Sequence, residues 1–189
     1  MKFRNHALLK KHSTGFTLLE TLIAMLVLAI GVLSMIDVMT QGLKVSATTQ
    51  SDYIAKKKAE QAIEAIFTAR NSQEKSWDQI QNISQGGIFK DGPQPLHAPG
   101  NDGLVGTLND DTAHPDVVIT GPGPDGLIGT ADDTVIPLSS MTREIQITTV
   151  VDKTGNTILN LRQITVIMRY MAAGGQKTQT FISYISPWA

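Results

Sequence analysis

The run from Phe16 to Ile36, FTLLETLIAMLVLAIGVLSMI, constrains this chain more than any other feature. It is apolar or small except at Thr17, Glu20, Thr21 and Ser34, and at ~1.5 Å per residue a helix of that length spans the ~30 Å hydrocarbon layer of a bilayer. Lys2, Arg4, Lys10 and Lys11 precede the run, and the next basic residue is Lys44. The positive-inside bias therefore puts the start in the cytoplasm and the body outside. An acid within such a run is expensive, roughly 2.5 to 3.5 kcal/mol for a charge at the centre of a membrane helix on an insertion scale. Glu20 calls for a function.

Two readings pass over that acid. A cleaved signal peptide also has a basic and an apolar region, but its apolar part is only ~7 to 15 residues long and ends in small residues, unlike this one. A plain single-pass anchor accounts for the length and leaves Glu20 without a role.

The stretch Gly15-Phe16-Thr17-Leu18-Leu19-Glu20, with a short basic leader before it and an apolar run after it, resembles the processing site of type IV prepilins and of the pseudopilins of type II secretion. The resemblance implies that a prepilin peptidase cuts between Gly15 and Phe16 and methylates the new amino group of Phe16. It also implies that Glu20 of one subunit pairs with the Phe16 amine of a neighbour in a filament. That chemistry is coherent. Glycine lets the backbone before the cut approach catalytic groups closely. Low dielectric strengthens the ion pair while burial costs desolvation, so the pair sets register more than it adds stability. Glu20 also lies in the first turn of the mature helix, where the helix dipole favours an anion.

The rest of the chain is consistent with an exported body. Every Asp and Glu lies at or after Glu20, and 16 basic side chains less the four of the leader leave 12 against 17 acidic ones. That excess argues against a nucleic-acid surface, which needs clustered positive charge. With no cysteine there is no disulfide framework, thiolate nucleophile or zinc-cysteine site. A chain of 189 residues has room for one modest domain beyond the membrane segment.

Gln41 to Arg70 has no proline and is rich in helix formers, with Ala59, Ala62, Ile63, Ile66 and Phe67 at helical spacing, a stripe suited to cover a sheet. Gly31 and Gly42 are sites of possible bends in a helical stem of ~50 residues. Lys56, Lys57 and Lys58 beside Glu60 and Glu64 read as a solvated helix face. Many major pilins carry a proline in the membrane half of this helix; this chain has none, which points away from a major subunit.

Between Ser84 and Ser140 fall ten of the sixteen glycines and seven of the eight prolines, which excludes long helices there. Inside lies a repeat: PGNDGLVGTLNDDT, Pro99 to Thr112, and PGPDGLIGTADDT, Pro122 to Thr134, a pair of similar turns flanking Val117, Val118 and Ile119. The first copy offers Asn101, Asp102, Asn109, Asp110 and Asp111, and the second Asp125, Asp132 and Asp133. Oxygens of this kind around permissive glycines suit Ca2+, although the spacing is not that of an EF-hand. Calcium-bound loops occur in pilins and pseudopilins, so the resemblance supports a calcium site. The competing reading is that these residues make solvated Asx-turns and bind nothing.

The carboxyl third changes period. Glu144 to Val151, Leu159 to Met171 and Thr178 to Ile185 are rich in β-branched residues, with turn signals at 152–156 and 172–175, and predict an antiparallel meander. Val117 to Thr120 is a candidate fourth strand. The stretch from Leu161 to Ile185 resembles the closing strands of PilV-like minor pilins and of the I-type minor pseudopilin. His6 and His12 fall in the leader, and His97 and His114 in loops without metal-ligand spacing. No nucleophile elbow, Walker loop or dinucleotide fingerprint is present, so no enzyme activity is expected. Trp77 and Trp188 read as packing or surface residues.

The expected organisation is a cleaved cytoplasmic leader over 1–15, a transmembrane segment over 16–36, an amphipathic stem helix over 37–70, a loop-rich region over 71–140 and an antiparallel β head over 141–189. The expected class is α+β and pilin-like. The expected role is a minor pilin of the PilV type, with a minor pseudopilin of type II secretion as one alternative and a membrane-anchored calcium-binding or adhesion module as another. The resemblance implies as partners the prepilin peptidase, other pilins or pseudopilins, and an inner-membrane assembly platform with its ATPase.

Overall fold

The computed structural model describes residues 15–188. Helix α1, Leu18–Asn71, opens the described chain, and two single 3-10 turns follow it at Trp77–Gln79 and Ile83–Gln85. Eight strands come next: β1 (Gln94–Pro95), β2 (His97–Ala98), β3 (Asp111–Pro115), β4 (Val117–Gly121), β5 (Thr134–Pro137), β6 (Thr142–Val151), β7 (Thr157–Ala172) and β8 (Gly175–Ile185). Two compact units divide after Leu43. The leader, with His6 and His12, lies outside the described residues apart from Gly15.

In the first unit the apolar side chains of α1 are exposed on every side, from Leu18 at 83% and Leu22 at 56% to Ile36 at 56%. A helix that is apolar all round needs an apolar surrounding. Among the described residues, α1 is the one helix long and apolar enough to cross a membrane. Gly31 and Gly42 both lie within α1, which is a single helical element of 54 residues.

In the second unit the carboxyl half of α1 has a small-residue stripe. Ala55, Ala59, Ala62 and Ile66 are fully buried and Ala69 nearly so, with Ile63 and Phe67 partly buried beside them. Alanines at this spacing let the helix backbone approach the sheet. The sheet runs in the order β1-β6-β7-β8, antiparallel throughout, with Ile145 opposite Val166 and Ile147 opposite Ile164. Ile145, Ile147, Ile164, Val166, Met168 and Tyr170 point into the core because alternate residues of a strand share a face.

The three predicted strands of the meander are present, each longer at its amino-terminal side than expected. The expectation for Val117 to Thr120 is corrected. That segment forms β4, which pairs with β5 in a separate ribbon, and the fourth strand of the main sheet is the two-residue β1. A run of only three aliphatic residues cannot by itself specify which partner it joins.

The loop-rich region is built as two consecutive hairpins. The first repeat connects β2 to β3, and the second connects β4 to β5. Asp116 links them, with its amide donating to Leu96 O at 3.0 Å and its carbonyl accepting from Leu138 N at 2.8 Å. Beyond β1, Asn82 meets the outer edge of β6, its Nδ2 donating to Ile145 O at 2.7 Å and its Oδ1 accepting from Ile147 N at 2.8 Å. A side-chain amide thus stands in for a neighbouring strand and covers an edge that would otherwise be open.

Candidate functional site at the start of the apolar helix

The first turn of α1 is set by Thr17. Its Oγ1 accepts from the Glu20 amide at 3.2 Å, and its carbonyl accepts from Thr21 N at 3.1 Å, so Thr17 is the N-cap and Glu20 the third helical residue. The sequence Thr-x-x-Glu is that of a capping box, a local signal available in the residues alone.

The other polar side chains of the apolar run are satisfied within the helix. Thr21 Oγ1 donates to Leu18 O at 2.8 Å and Ser34 Oγ to Ile30 O at 2.9 Å. Just beyond the run, Thr40 Oγ1 donates to Ile36 O at 2.8 Å and Gln41 Nε2 to Asp37 Oδ2 at 2.9 Å. Hydrocarbon demands this, because it offers no water to polar groups. Among the described residues the Glu20 carboxylate has no such partner. It is the one polar side chain between Phe16 and Ile36 whose bonding must come from elsewhere.

Gly15, Phe16, Thr17 and Glu20 line one surface pocket. Phe16 is 80% exposed, and a Cβ placed on Gly15 would meet nothing within 4 Å. No packing of the described chain requires glycine at 15. Gly15, Phe16 and Glu20 thus lie on one surface at the start of α1, where all three are exposed.

The acidic residues of the repeats are placed differently. In the first loop Asp102 Oδ1 accepts from Leu104 N at 3.1 Å, its Oδ2 accepts from Asn109 Nδ2 at 3.0 Å, and Asp110 accepts from Gly106 N and Thr107 N. Asp111 turns away to His114 Nδ1 at 2.7 Å, and that bond is the main cause holding its carboxyl below the usual range. In the second loop Asp125 accepts from Leu127 N, Asp132 from the Thr130 hydroxyl and Asp125 N, and Asp133 from Gly129 N and Thr130 N. The Thr130 hydroxyl is the largest influence lowering the Asp132 carboxyl. Asn101 is exposed in the first loop. These carboxylates close their own turns, and among the described residues no group of three or more His, Asp or Glu side chains is disposed to hold a metal ion.

Several polar residues with structural work carry no motif. Lys58 Nζ lies 2.7 Å from Asp116 Oδ1, with both side chains largely buried, and Arg143, 3% exposed, donates to Lys58 O at 3.4 Å. Burial pushes the Arg143 guanidinium down from its ordinary value, against the pull of Asp110 and Asp116. Arg162 stacks 4.1 Å from the Trp77 ring centroid and donates to the carbonyls of Trp77 and Ile80, so Trp77 is a packing residue. Arg70 donates to Ser186 O and Trp188 O, both at 2.9 Å, while the Trp188 side chain is exposed. These partners lie 58 to 118 residues apart in the chain, beyond any local signal.

No curated protein and no solved structure matches the chain. Residues 10–36, which hold the cap, the glycine and the unsatisfied acid, match the family described as the prokaryotic N-terminal methylation motif, the motif shared by type IV pilins and pseudopilins.

Proposed function

We propose that this chain is a minor subunit of a type IV pilus, cut between Gly15 and Phe16 by a prepilin peptidase and N-methylated on Phe16. Before assembly α1 holds it in the inner membrane with its start in the cytoplasm and its body in the periplasm. In the filament the same helix buries its apolar surface against other subunits, and Glu20 pairs with the Phe16 amine of a neighbour. The role is structural, with an inner-membrane platform and its ATPase supplying the energy for assembly.

One observation carries this reading. Within an apolar run whose other polar groups are satisfied internally, Glu20 alone lacks a partner among the described residues, and it does so inside the matched methylation motif. A group left unsatisfied in hydrocarbon costs several kcal/mol, so an external cation is the physical solution.

Mass spectrometry of the mature chain is the test. An N-methylated Phe16 supports the reading, and a chain that retains Met1 overturns it in favour of a plain anchor. Because the motif is common to pilins and pseudopilins, a secretion pseudopilus is the second reading. Deletion of the gene separates the two by loss of twitching or loss of secretion.

A further inference from the structure

The two repeats fold alike and are covered differently. Gly103 and Gly126 have φ of 66° and 72°, and Gly106 and Gly129 have φ of 82° and 94°. In each loop the first glycine of these pairs donates three residues back, to Gly100 O and Gly123 O respectively, at 3.0 Å. An aspartate at equivalent positions, Asp110 or Asp133, accepts from the amides of the second glycine and the threonine after it.

In the first loop the aliphatic pair Leu104–Val105 is 5% and 1% exposed, and Val105 shares the core with Phe89 and Ile145. Phe89 bridges Thr107 as an antiparallel neighbour, and Lys90 N donates to Gly106 O at 2.7 Å. The Lys90 ammonium lies 4.0 Å from Asp110, and a Cβ at Gly106 would come within 2.6 Å of Ile145 Cδ1. In the second loop the matching pair, Leu127–Ile128, is 62% and 71% exposed, and a Cβ at Gly129 would meet nothing within 4 Å. Asp133 Oδ1 is enclosed and has no hydrogen-bond partner among the described residues.

The turn itself needs the glycines and the aspartates. It does not need Leu127 and Ile128, which the fold leaves in water at an unfavourable ~25 cal/mol per Å². We propose that the second loop is a docking element that seats Leu127 and Ile128 on a strand edge of another polypeptide, one presenting an aromatic residue followed by lysine. The first loop supplies the template, since Phe89–Lys90 is such an edge. By the same geometry the partner's amide donates to Gly129 O and its ammonium lies beside the Asp133 carboxylate, as Lys90 lies 4.0 Å from Asp110. The exposed carboxylates of Asp125 and Asp132 favour a cationic partner over an acidic one. This chain's own Phe89–Lys90 edge is filled by a loop tethered beside it, at an effective concentration on the order of millimolar. The partner is therefore a different polypeptide. The β4–β5 ribbon that carries the loop also leaves Val135 and Ile136 44% and 46% exposed.

The inference is independent of processing at Phe16, so either can fail alone. The test places a benzophenone amino acid at exposed Ala131 of the full chain in the cells that make it, with a control at exposed Thr154 in the β6–β7 turn. The expected result is an adduct mapped to an extended segment of another polypeptide with an aromatic–lysine step. Leu127→Ser with Ile128→Ser should lower its yield at least about tenfold while the chain's melting midpoint stays put. An adduct no stronger than the Thr154 control, one to lipid, to a second copy of this chain or to any other kind of segment, or one indifferent to the double substitution, overturns the proposal.

Discussion

The amide of Glu20 donates to the hydroxyl of Thr17 at 3.2 Å, which places the acid at the third position of α1 with its backbone in the cap and its carboxylate without a partner among the described residues. That bond is made by the backbone amide, which any residue but proline supplies at this position. Glu20→Gln therefore keeps the cap bond and removes the charge. It is expected to lower incorporation into filaments at least about tenfold, the scale of one lost ion pair of more than about 1.4 kcal/mol. Thr17→Ala, costing the helix start about 1 kcal/mol, should leave incorporation near the parent level. Sheared filaments compared with membranes by immunoblot give the readout, and a Glu20→Gln chain that assembles like the parent would sink the pairing.

Lys58 and Asp116 join the helix to the link between the hairpins. Removing one partner of a largely buried pair strands the other, at a cost of about 3 kcal/mol. Lys58→Ala should lower stability by that order, and Asp116→Ala by more, because it strands Lys58 and also removes one of the two anions, Asp110 and Asp116, that act on the buried Arg143. Replacing both, Lys58→Met with Asp116→Asn, should recover part of the loss. Urea unfolding of the full chain in detergent, followed by tryptophan fluorescence, checks the order.

Asn82 makes two buried bonds to the β6 edge. Asn82→Ala leaves Ile145 O and Ile147 N without that partner and should cost about 1 to 3 kcal/mol. Asn82→Asp keeps the acceptor, loses the donor and sets an anion against Ile145 O, so it should be no better. The same unfolding measurement applies.

Tyr170 donates to Asp52 at 2.6 Å, and Lys177 reaches the same carboxylate at 3.0 Å. The Tyr170 bond, then the Lys177 bond, hold the Asp52 carboxyl below its usual value, while burial and then Asp52 push the Tyr170 hydroxyl well up. A carboxyl lowered by folding adds stability above its unfolded pKa of about 3.9, and that stability fades as pH falls through the folded value. Tyr170→Phe removes the largest cause. Its melting midpoint should lie below the parent's at pH 7, and the gap should narrow below about pH 4.

Asp110 and Asp133 each accept from two backbone amides of their own turn, so excess Ca2+ should leave the melting midpoint where a chelator puts it. A midpoint rising with calcium concentration would mean that the loops rearrange to bind it, because a ligand taken only by the folded state raises apparent stability.

Features written in neighbouring residues are legible in the chain itself. The apolar run, the acid inside it, the alanine stripe and the three long strands follow from periodicity and composition, each a property of a short window. The cap at Thr17 is equally local, since its hydroxyl is bonded by the amide three residues on. The loops are half legible: the repeat, its glycines and its aspartates stand in the sequence, but their assembly as two hairpins does not. The segment from Val117 to Ile119 shows why. Its aliphatic residues suit any sheet, and only the fold pairs them with β5.

By itself the sequence determined that this chain carries a membrane-length helix with a misplaced anion at its start and a β-rich carboxyl end, because side-chain period and hydrophobicity are local quantities. Tertiary structure alone decided that Asn82 covers β6, that Lys58 meets Asp116, and that one Leu–Val pair is buried while its Leu–Ile twin stays in water. Burial depends on what the rest of the chain brings alongside, and two nearly identical turns can differ in that alone.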